Sequence, residues 1–392
     1  MAGRGKGEAA DSAWAVPLSD VEIADAHVDA VVGTLRSGWW SMGPRVAELE
    51  AAFARLTGTE HAFAVANGTA ALHLALLAVG CGRGDGVVLP SLNFVAAANA
   101  AVHTGATPVF CDVFGPRDLN LDPADLEAAM TPRTKAVVVL HYGGFPCDAD
   151  AVREIADSHG VAVVEDAAHA VGATHDGRPC GSLGAVACFS FFSNKNLPVG
   201  EGGMVVASDP KLAERLRLLR SHGMTTLTWD RHRGHAAGYD VLVPGFNYRL
   251  DEVHAALALV QLERLAARNE ARGAAARRYR ELLDGVAGLT MPFDGRRESA
   301  HHLAVVLLPE GVERNPVREA LAARRIQTSV HYPPIHGFTA YADGPQRPLP
   351  RTEEVADRIL TLPLYAHIGR DQVGSVAEAL VAAVKDQAAV AD

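Results

Sequence analysis

Val161–Met204, VAVVEDAAHAVGATHDGRPCGSLGAVACFSFFSNKNLPVGEGGM, is the stretch around which the chain is organised. An apolar run ends on the carboxylate of Asp166, and a Gly-rich segment leads to a second apolar run. A single lysine, Lys195, then precedes Gly200-Glu201-Gly202-Gly203. Short apolar runs bounded by turn residues are the pattern of buried strands, so an acid and an amine are held at strand ends.

The pairing matters because of its chemistry. A lysine amine forms a Schiff base with an aldehyde, and pyridoxal phosphate requires such a lysine together with an anion beside its pyridine nitrogen. Neither residue carries the reading alone: an acid after a strand often caps a helix, and a lysine in a polar loop is usually a solvated charge. The other lysines are Lys6 in the polar leader, Lys135 before a strand, Lys211 at a helix start and Lys385 near the C-terminus, and none stands between a strand end and a Gly-rich turn. Lys195 is therefore the Schiff-base candidate.

Composition restricts the remaining classes. A chain of 392 residues with 48% hydrophobic residues, and no apolar run long enough to span a bilayer, is expected to be a soluble protein large enough for two domains. The net charge of -10 argues against nucleic-acid and anionic-membrane partners, which call for a concentrated basic patch. Cys81, Cys111, Cys147, Cys180 and Cys188 are scattered without a CxxC pair, so no metal site is expected and they read as reduced thiols of a cytoplasmic enzyme. The first fifteen residues are polar and small, lack the apolar core of a signal peptide, and read as a disordered leader.

In chain order, helices are expected over 21–35 and 45–56, separated by Ser37-Gly38-Trp39-Trp40-Ser41-Met42-Gly43-Pro44. The tryptophans there suit either core packing or the wall of a ligand pocket. A short strand over 61–66 runs into Asn67-Gly68-Thr69-Ala70 and a long Ala/Leu helix. A glycine turn feeding a helix aims unpaired N–H groups at one point, which suits a phosphate, although Thr69 could equally be a helix cap. Strands follow over 87–89, 107–113, 136–140, 161–165, 186–191 and 204–207, with helices over 96–103, 122–130 and 148–159. Val- and Phe-rich strands without alternation imply a mainly parallel sheet covered on both faces, with its ligand beyond the strands' carboxyl ends. Gly68, Phe94, Asp166 and Ser190 all lie at or just after such ends.

At this point the sequence resembles the DegT/StrS-type (DegT/DnrJ/StrS) sugar aminotransferases. The matching stretches are SGWWSMGPRVAELE, ANGTAALHLAL, VLPSLNFVAAANA, HYGGFPCD, VVEDAAHAVGA, CFSFFSNKNLPVGEGGM and PGFNYRLDEVHAALALVQLERL. The resemblance runs from about Pro17 to the C-terminal helix, with the motifs in the family's order. It implies an α/β aspartate-aminotransferase-like fold (pyridoxal-phosphate fold type I): a large domain over 16–262 around a mainly parallel seven-stranded sheet, and a small α+β domain over 263–392.

It also implies roles. Lys195 would carry the cofactor and shuttle protons, and Asp166 would pair with the pyridine nitrogen. Gly68, Thr69 and Ser190 would hold the phosphate, joined by Asn247 across a homodimer interface, and Phe94 would cover the ring face. His169 falls where relatives carry Gln or His near the phenolic oxygen; a helix-packed histidine is the alternative. Asn93, where many relatives have Thr, and Ala185, where an acid is frequent, depart from the pattern.

The segment 222–243, with Trp229 and Arg231, lacks periodicity and reads either as a substrate-phosphate loop or as surface disorder. A linking helix is expected over 250–280, with strands over 301–308 and 326–330 and helices over 316–325 and 373–384. His331-Tyr332-Pro333-Pro334 resembles a substrate-bordering segment, with a structural proline turn as the alternative. Trp39, Trp229, Arg231, His331 and Tyr332 are thus the substrate candidates.

The resemblance implies transfer of an amino group, from L-glutamate through the pyridoxamine form of the cofactor, to a nucleotide-linked 3-keto or 4-keto deoxyhexose in amino-sugar or natural-product biosynthesis. A cyclitol aminotransferase, a dehydratase or aromatic-amine synthase of the same fold, and a non-catalytic regulatory paralogue are the alternatives. The sugar 3-dehydratases replace the lysine with histidine, and some reductive ones add a cysteine cluster, so Lys195 and the scattered cysteines count against those.

Overall fold

Five strands lying side by side and parallel make the floor of the molecule. The computed structural model describes residues 14–226, 234, 238–293 and 298–391. The segments containing Trp229 and Arg231, and nearly all of the expected leader, lie outside them. The strands are β1 (His61–Val65), β2 (Gly86–Pro90), β3 (Thr107–Cys111), β4 (Val113–Gly115), β5 (Asp118–Leu121), β6 (Thr134–Leu140), β7 (Ala162–Asp166), β8 (Thr174–His175), β9 (Arg178–Pro179), β10 (Val186–Ser190), β11 (Gly203–Ala207), β12 (Ala304–Leu307) and β13 (Ile359–Leu362).

The central sheet has seven strands in the order β1-β11-β10-β7-β6-β2-β3. Pairing is parallel from β10 to β3, while β11 runs antiparallel to both β1 and β10. Alternate residues of each strand feed two separate cores: Val137, Val163, Ala187 and Val206 on one face, Val138, Val164, Val186 and Val205 on the other. Both faces being covered explains why the strands carry no polar alternation.

The helices are α1 (Asp25–Ser37), α2 (Pro44–Thr57), α3 (Gly68–Ala78), α4 (Ala96–Thr104), α5 (Pro123–Ala129), α6 (Ala149–His159), α7 (Pro210–Arg220), α8 (Glu252–Glu263), α9 (Leu265–Leu283), α10 (Arg314–Ala323), α11 (Pro350–Arg358) and α12 (Arg370–Ala391). Sequence sets their ends. Asp148 caps α6 by accepting from the Ala151 N–H, and Gly160 closes it with a φ of 65°. Pro44 opens α2, whose first N–H groups are met by the buried Glu252 carboxylate: it accepts from Gly43, Arg45 and Val46 at 2.8 to 2.9 Å.

Three expected elements differ. The helix expected over 250–280 is two helices, α8 and α9, separated at Arg264, whose φ of -97° and ψ of -5° end the first. The strand expected over 326–330 is reduced to isolated bridges, Val16 with Ile326 and Ser329 with Thr361. The strand expected over 107–113 breaks at Asp112, because its carboxylate turns to the Thr352 N–H and hydroxyl of α11, each at 2.7 Å.

A third core gathers Val306, Leu321, Ile326, Leu360 and Leu380 with Val16 from the other end of the chain. Helix α9 crosses from one body to the other, with Leu265 in the large core and Tyr279 and Leu283 in this one.

Candidate active site

The carboxyl ends of β7 and β10 and the amino end of α3 open on one cavity of about 410 Å³. Gly68, Thr69, Phe94, Asp166, His169, Ser190, Lys195, His331 and Tyr332 all line it. Asn247 and Trp39 do not. Asn247 is exposed, bridging to Ser221, and Trp39 is half-buried with its indole N–H directed at the Met42 carbonyl (3.4 Å). A Cβ on Gly43 would lie 2.6 Å from that indole nitrogen, so Trp39 closes the turn into α2, within this protomer a packing role.

The start of α3 is built for an anion. Asn67 is the cap, accepting from the Ala70 N–H at 2.8 Å, which leaves the exposed Thr69 hydroxyl free of capping duty at the cavity wall. A Cβ on Gly68 would stand 2.9 Å from the Ser190 Cβ, so only glycine lets the turn approach the end of β10 this closely. Backbone N–H groups at a helix start together with two hydroxyls form a phosphate cradle.

Asp166 ends β7, paired in register with Leu140 of β6 and Cys188 of β10, and it is buried. Burial pushes its carboxyl up; the Ala168 N–H (3.3 Å), Lys195 and His141 oppose this. Lys195 follows in the loop after β10, its N–H bonded to the Phe192 carbonyl at 2.8 Å. Burial pushes its amine down from 10.5 to about 8, against the attraction of Asp166.

Beside the pair lies a wall of neutral rings. His169 accepts the Gly143 N–H at Nδ1 (3.3 Å), so its proton sits on Nε2, 2.9 Å from the Tyr332 hydroxyl. Its pKa is held well below the ordinary value by burial, then by Lys195 and neighbouring histidines. His331, bonded through Nδ1 to the Thr361 hydroxyl at 2.9 Å, is pushed down to about 4 by burial and then Lys195. Phe94 stands over the cavity 55% exposed, its ring centroid 5.8 Å from that of Tyr332. So large an apolar ring left uncovered at a cavity mouth is suited to stacking on a flat ligand.

The site contains residues that sequence reasoning passed over. Asn67 carried a detectable signal, an Asn before an apolar helical run. Asn194 carried none, and Asn93 was noted only for departing from the family's Thr; Asn93 Nδ2 and Asn194 Oδ1 are buried without a hydrogen-bond partner at the cavity. Orphaned polar atoms, a glycine-dependent cradle, an uncovered ring and a buried acid opposite a lysine together fit pyridoxal phosphate.

His141, Glu165 and Cys180 also come together, beneath the site. Glu165 already accepts four hydrogen bonds, from Gly181, Leu183 and Gly184 at 2.8 Å and from His141 Nε2 at 2.9 Å. Its lone pairs are filled, so the group braces the loop that leads into β10.

Comparison with known proteins agrees. The model of the DegT/DnrJ/EryC1/StrS aminotransferase family matches residues 21–381. The chain is 42% identical to the spore coat polysaccharide biosynthesis protein SpsC of Bacillus subtilis (strain 168), over 94% of this chain and 97% of SpsC. The crystal structure of S. venezuelae DesV in complex with a ketimine intermediate superposes with a TM-score of 0.87 at 39% identity, covering 94% of this chain and 98% of DesV. DesI, solved in the presence of its TDP-sugar product, gives 0.87 at 35% identity over 97% and 95% of the two chains. The chain belongs to the DegT/DnrJ/EryC1/StrS aminotransferase family and is a pyridoxal-phosphate-dependent aminotransferase.

Proposed function

We propose that this aminotransferase moves an amino group from L-glutamate to a nucleotide-linked 3-keto or 4-keto deoxyhexose in amino-sugar or natural-product biosynthesis. The observation that carries the reading is the meeting of Lys195 and Asp166 in a cavity whose other end is a phosphate cradle, in a chain similar over its length to DesI, which was solved with a TDP-sugar product. We further propose a cytoplasmic homodimer, each protomer built as a large unit over 16–262 and a small one over 263–392; five buried, unpaired cysteines suit a reducing compartment.

When bound, pyridoxal phosphate supplies an aldehyde that carries the amine and a ring that accepts electrons. The protein does the rest. The α3 start, Thr69 and Ser190 bind the phosphate, and Asn247 reaches the partner's cradle. Asp166 holds a proton at the pyridine nitrogen, Phe94 covers the ring and His169 faces the phenolic oxygen. Lys195 takes and returns the proton at the substrate carbon, for which an amine titrating near 8 is suited. His331 and Tyr332 border the acceptor, and Trp39, Trp229 and Arg231 are proposed as further acceptor contacts.

The test is a visible spectrum of the purified protein with L-glutamate and then a panel of keto-sugar nucleotides. The cofactor band should fade with glutamate and return with one sugar. A band that only cyclitol ketones restore redirects the assignment to cyclitols, and loss of water from the product to dehydration. Lys195→Ala should keep the fold and lose turnover. Mixing Lys195→Ala and Asn247→Ala protomers should recover activity that neither has alone, because one of the two shared sites in the mixed dimer is intact.

A further inference from the structure

The residue after Lys195 is more tightly held than the lysine itself. Asn196 is buried, and all its side-chain hydrogen-bonding directions facing protein are used across long stretches of chain. Its Nδ2 donates to Asn269 Oδ1 of α9 at 2.8 Å and to the Ala300 carbonyl at 2.7 Å, and its Oδ1 meets His302 Nδ1 at 3.0 Å. The assignment is self-consistent. Two acceptors at one end make that end the amide nitrogen, so the other is oxygen, and His302 must carry its proton on Nδ1. Asn269 is fixed in turn by donating to the Val171 carbonyl at 2.9 Å.

His302 connects this knot to the cavity wall. Its ring lies 4.5 Å from that of His169, whose Nε2 meets Tyr332. The loop carrying Lys195 is thus tied to α9 and to the approach to β12, the two segments that join the large core to the C-terminal one. Swinging the loop at 195–196 outward would break these three hydrogen bonds, two of them buried. Each broken bond would leave a polar group orphaned away from water.

We propose that Asn196, held by His302, Asn269 and the Ala300 carbonyl, is a positioning residue that keeps the Lys195 amine inside the cavity facing Asp166. The proposal rests on the assignment of Lys195 as the cofactor lysine.

Three variants test it: Asn196→Ala, His302→Leu and His302→Asn. Asparagine can keep an N–H where the Nδ1–H was, whereas leucine fills more of the volume without a donor. Two readouts are taken on the full-length protein. One is the pH midpoint of Lys195 labelling by an amine-reactive reagent in cofactor-free protein, followed by peptide mass spectrometry. The other is kcat and KM with both substrates.

Asn196→Ala and His302→Leu should move the labelling midpoint up from about 8 by at least a pH unit, as the amine escapes to water. They should lower kcat by about 100-fold while KM stays within about 2-fold. His302→Asn should retain most of the wild-type behaviour in both readouts. Packing alone predicts the opposite order, with leucine better tolerated than asparagine, and that order overturns the proposal. So does a wild-type labelling midpoint in both Asn196→Ala and His302→Leu. If Asn196→Ala fails to fold, the His302 pair, which alters one bond of the three, decides by itself. Borohydride trapping of pyridoxal phosphate in the wild-type protein separates the two levels: cofactor found elsewhere than on Lys195 removes the parent assignment as well, whereas cofactor on Lys195 with unperturbed variants removes only the clamp.

Discussion

Replacing Asp166 with asparagine should make Lys195 a better base and the enzyme a worse one. An amine with a pKa of about 8 is neutral in about one molecule in ten at pH 7, against about one in three thousand for an ordinary lysine at 10.5, an enrichment of about 300-fold. That depression is the balance left after burial, which favours the neutral amine, has overcome Asp166, which favours the charged one. An opposite charge a few ångströms away is worth about one to three pKa units. Asp166→Asn keeps the shape and removes the charge, so the Lys195 midpoint should fall by about one unit and about half the amine should be neutral at pH 7.

Turnover should nevertheless drop by at least about 100-fold, because nothing then holds a proton at the pyridine nitrogen of the bound cofactor. The assay pairs pH-dependent labelling of Lys195 in cofactor-free protein with kcat for the loaded enzyme. A midpoint that stays or rises would refute the electrostatic coupling of the two residues. A fallen midpoint with turnover kept within a few-fold would refute the role given to the acid at the ring.

Gly68→Ala should weaken pyridoxal phosphate binding by about 10-fold or more and cost about 1–3 kcal/mol of stability, since its Cβ would stand 2.9 Å from that of Ser190; fluorescence titration of cofactor into apo-protein measures the first and urea unfolding the second. Glu165→Gln should cost about 3 kcal/mol, because an amide nitrogen would face N–H donors that now meet a carboxylate, and a denaturation midpoint equal to wild type would contradict the bracing role. Acid should destabilise the fold through two half-buried histidines. His301 and His331 are pushed from 6.5 down to about 4, so the unfolded chain takes up their protons first, and the stability present above pH 6.5 is lost as pH falls from there to about 4. His301→Asn, outside the cavity, should flatten the fall of Tm over that window by about one proton's worth.

What the sequence made legible was local. Asp166 stands where an apolar run stops and Ser190 lies near the end of another, so a strand's end is largely visible in its own residues. Lys195 stood out because the chain has so few lysines and this one lies between a strand end and a Gly-rich turn. The break at Arg264 was hidden for the opposite reason: Leu262-Glu263-Arg264-Leu265-Ala266-Ala267 contains neither glycine nor proline, and the helix ends there only in the fold's context. The segment 326–330 misled because β-branched residues signal a half-buried pleated surface, and here two isolated bridges are all that the neighbouring chain offers.

The lysine's chemistry belongs mostly to this second, invisible kind. Asn196 looks like one more polar residue in SNKNLP, yet its partners lie 73 to 106 positions away along the chain. The depressed Lys195 amine requires a wall that excludes water, and that wall is made of Tyr332, His169 and His302, drawn from both sides of the linking helix α9. A motif can therefore name the lysine without determining its basicity. The same SNKN sequence on a loop free to swing outward would present an ordinary amine, charged at neutral pH and unable to take the proton. It follows that substitutions which alter this enzyme's rate without touching substrate should be found along the path from Asn269 through Asn196 to His302, where the C-terminal body holds the loop in place.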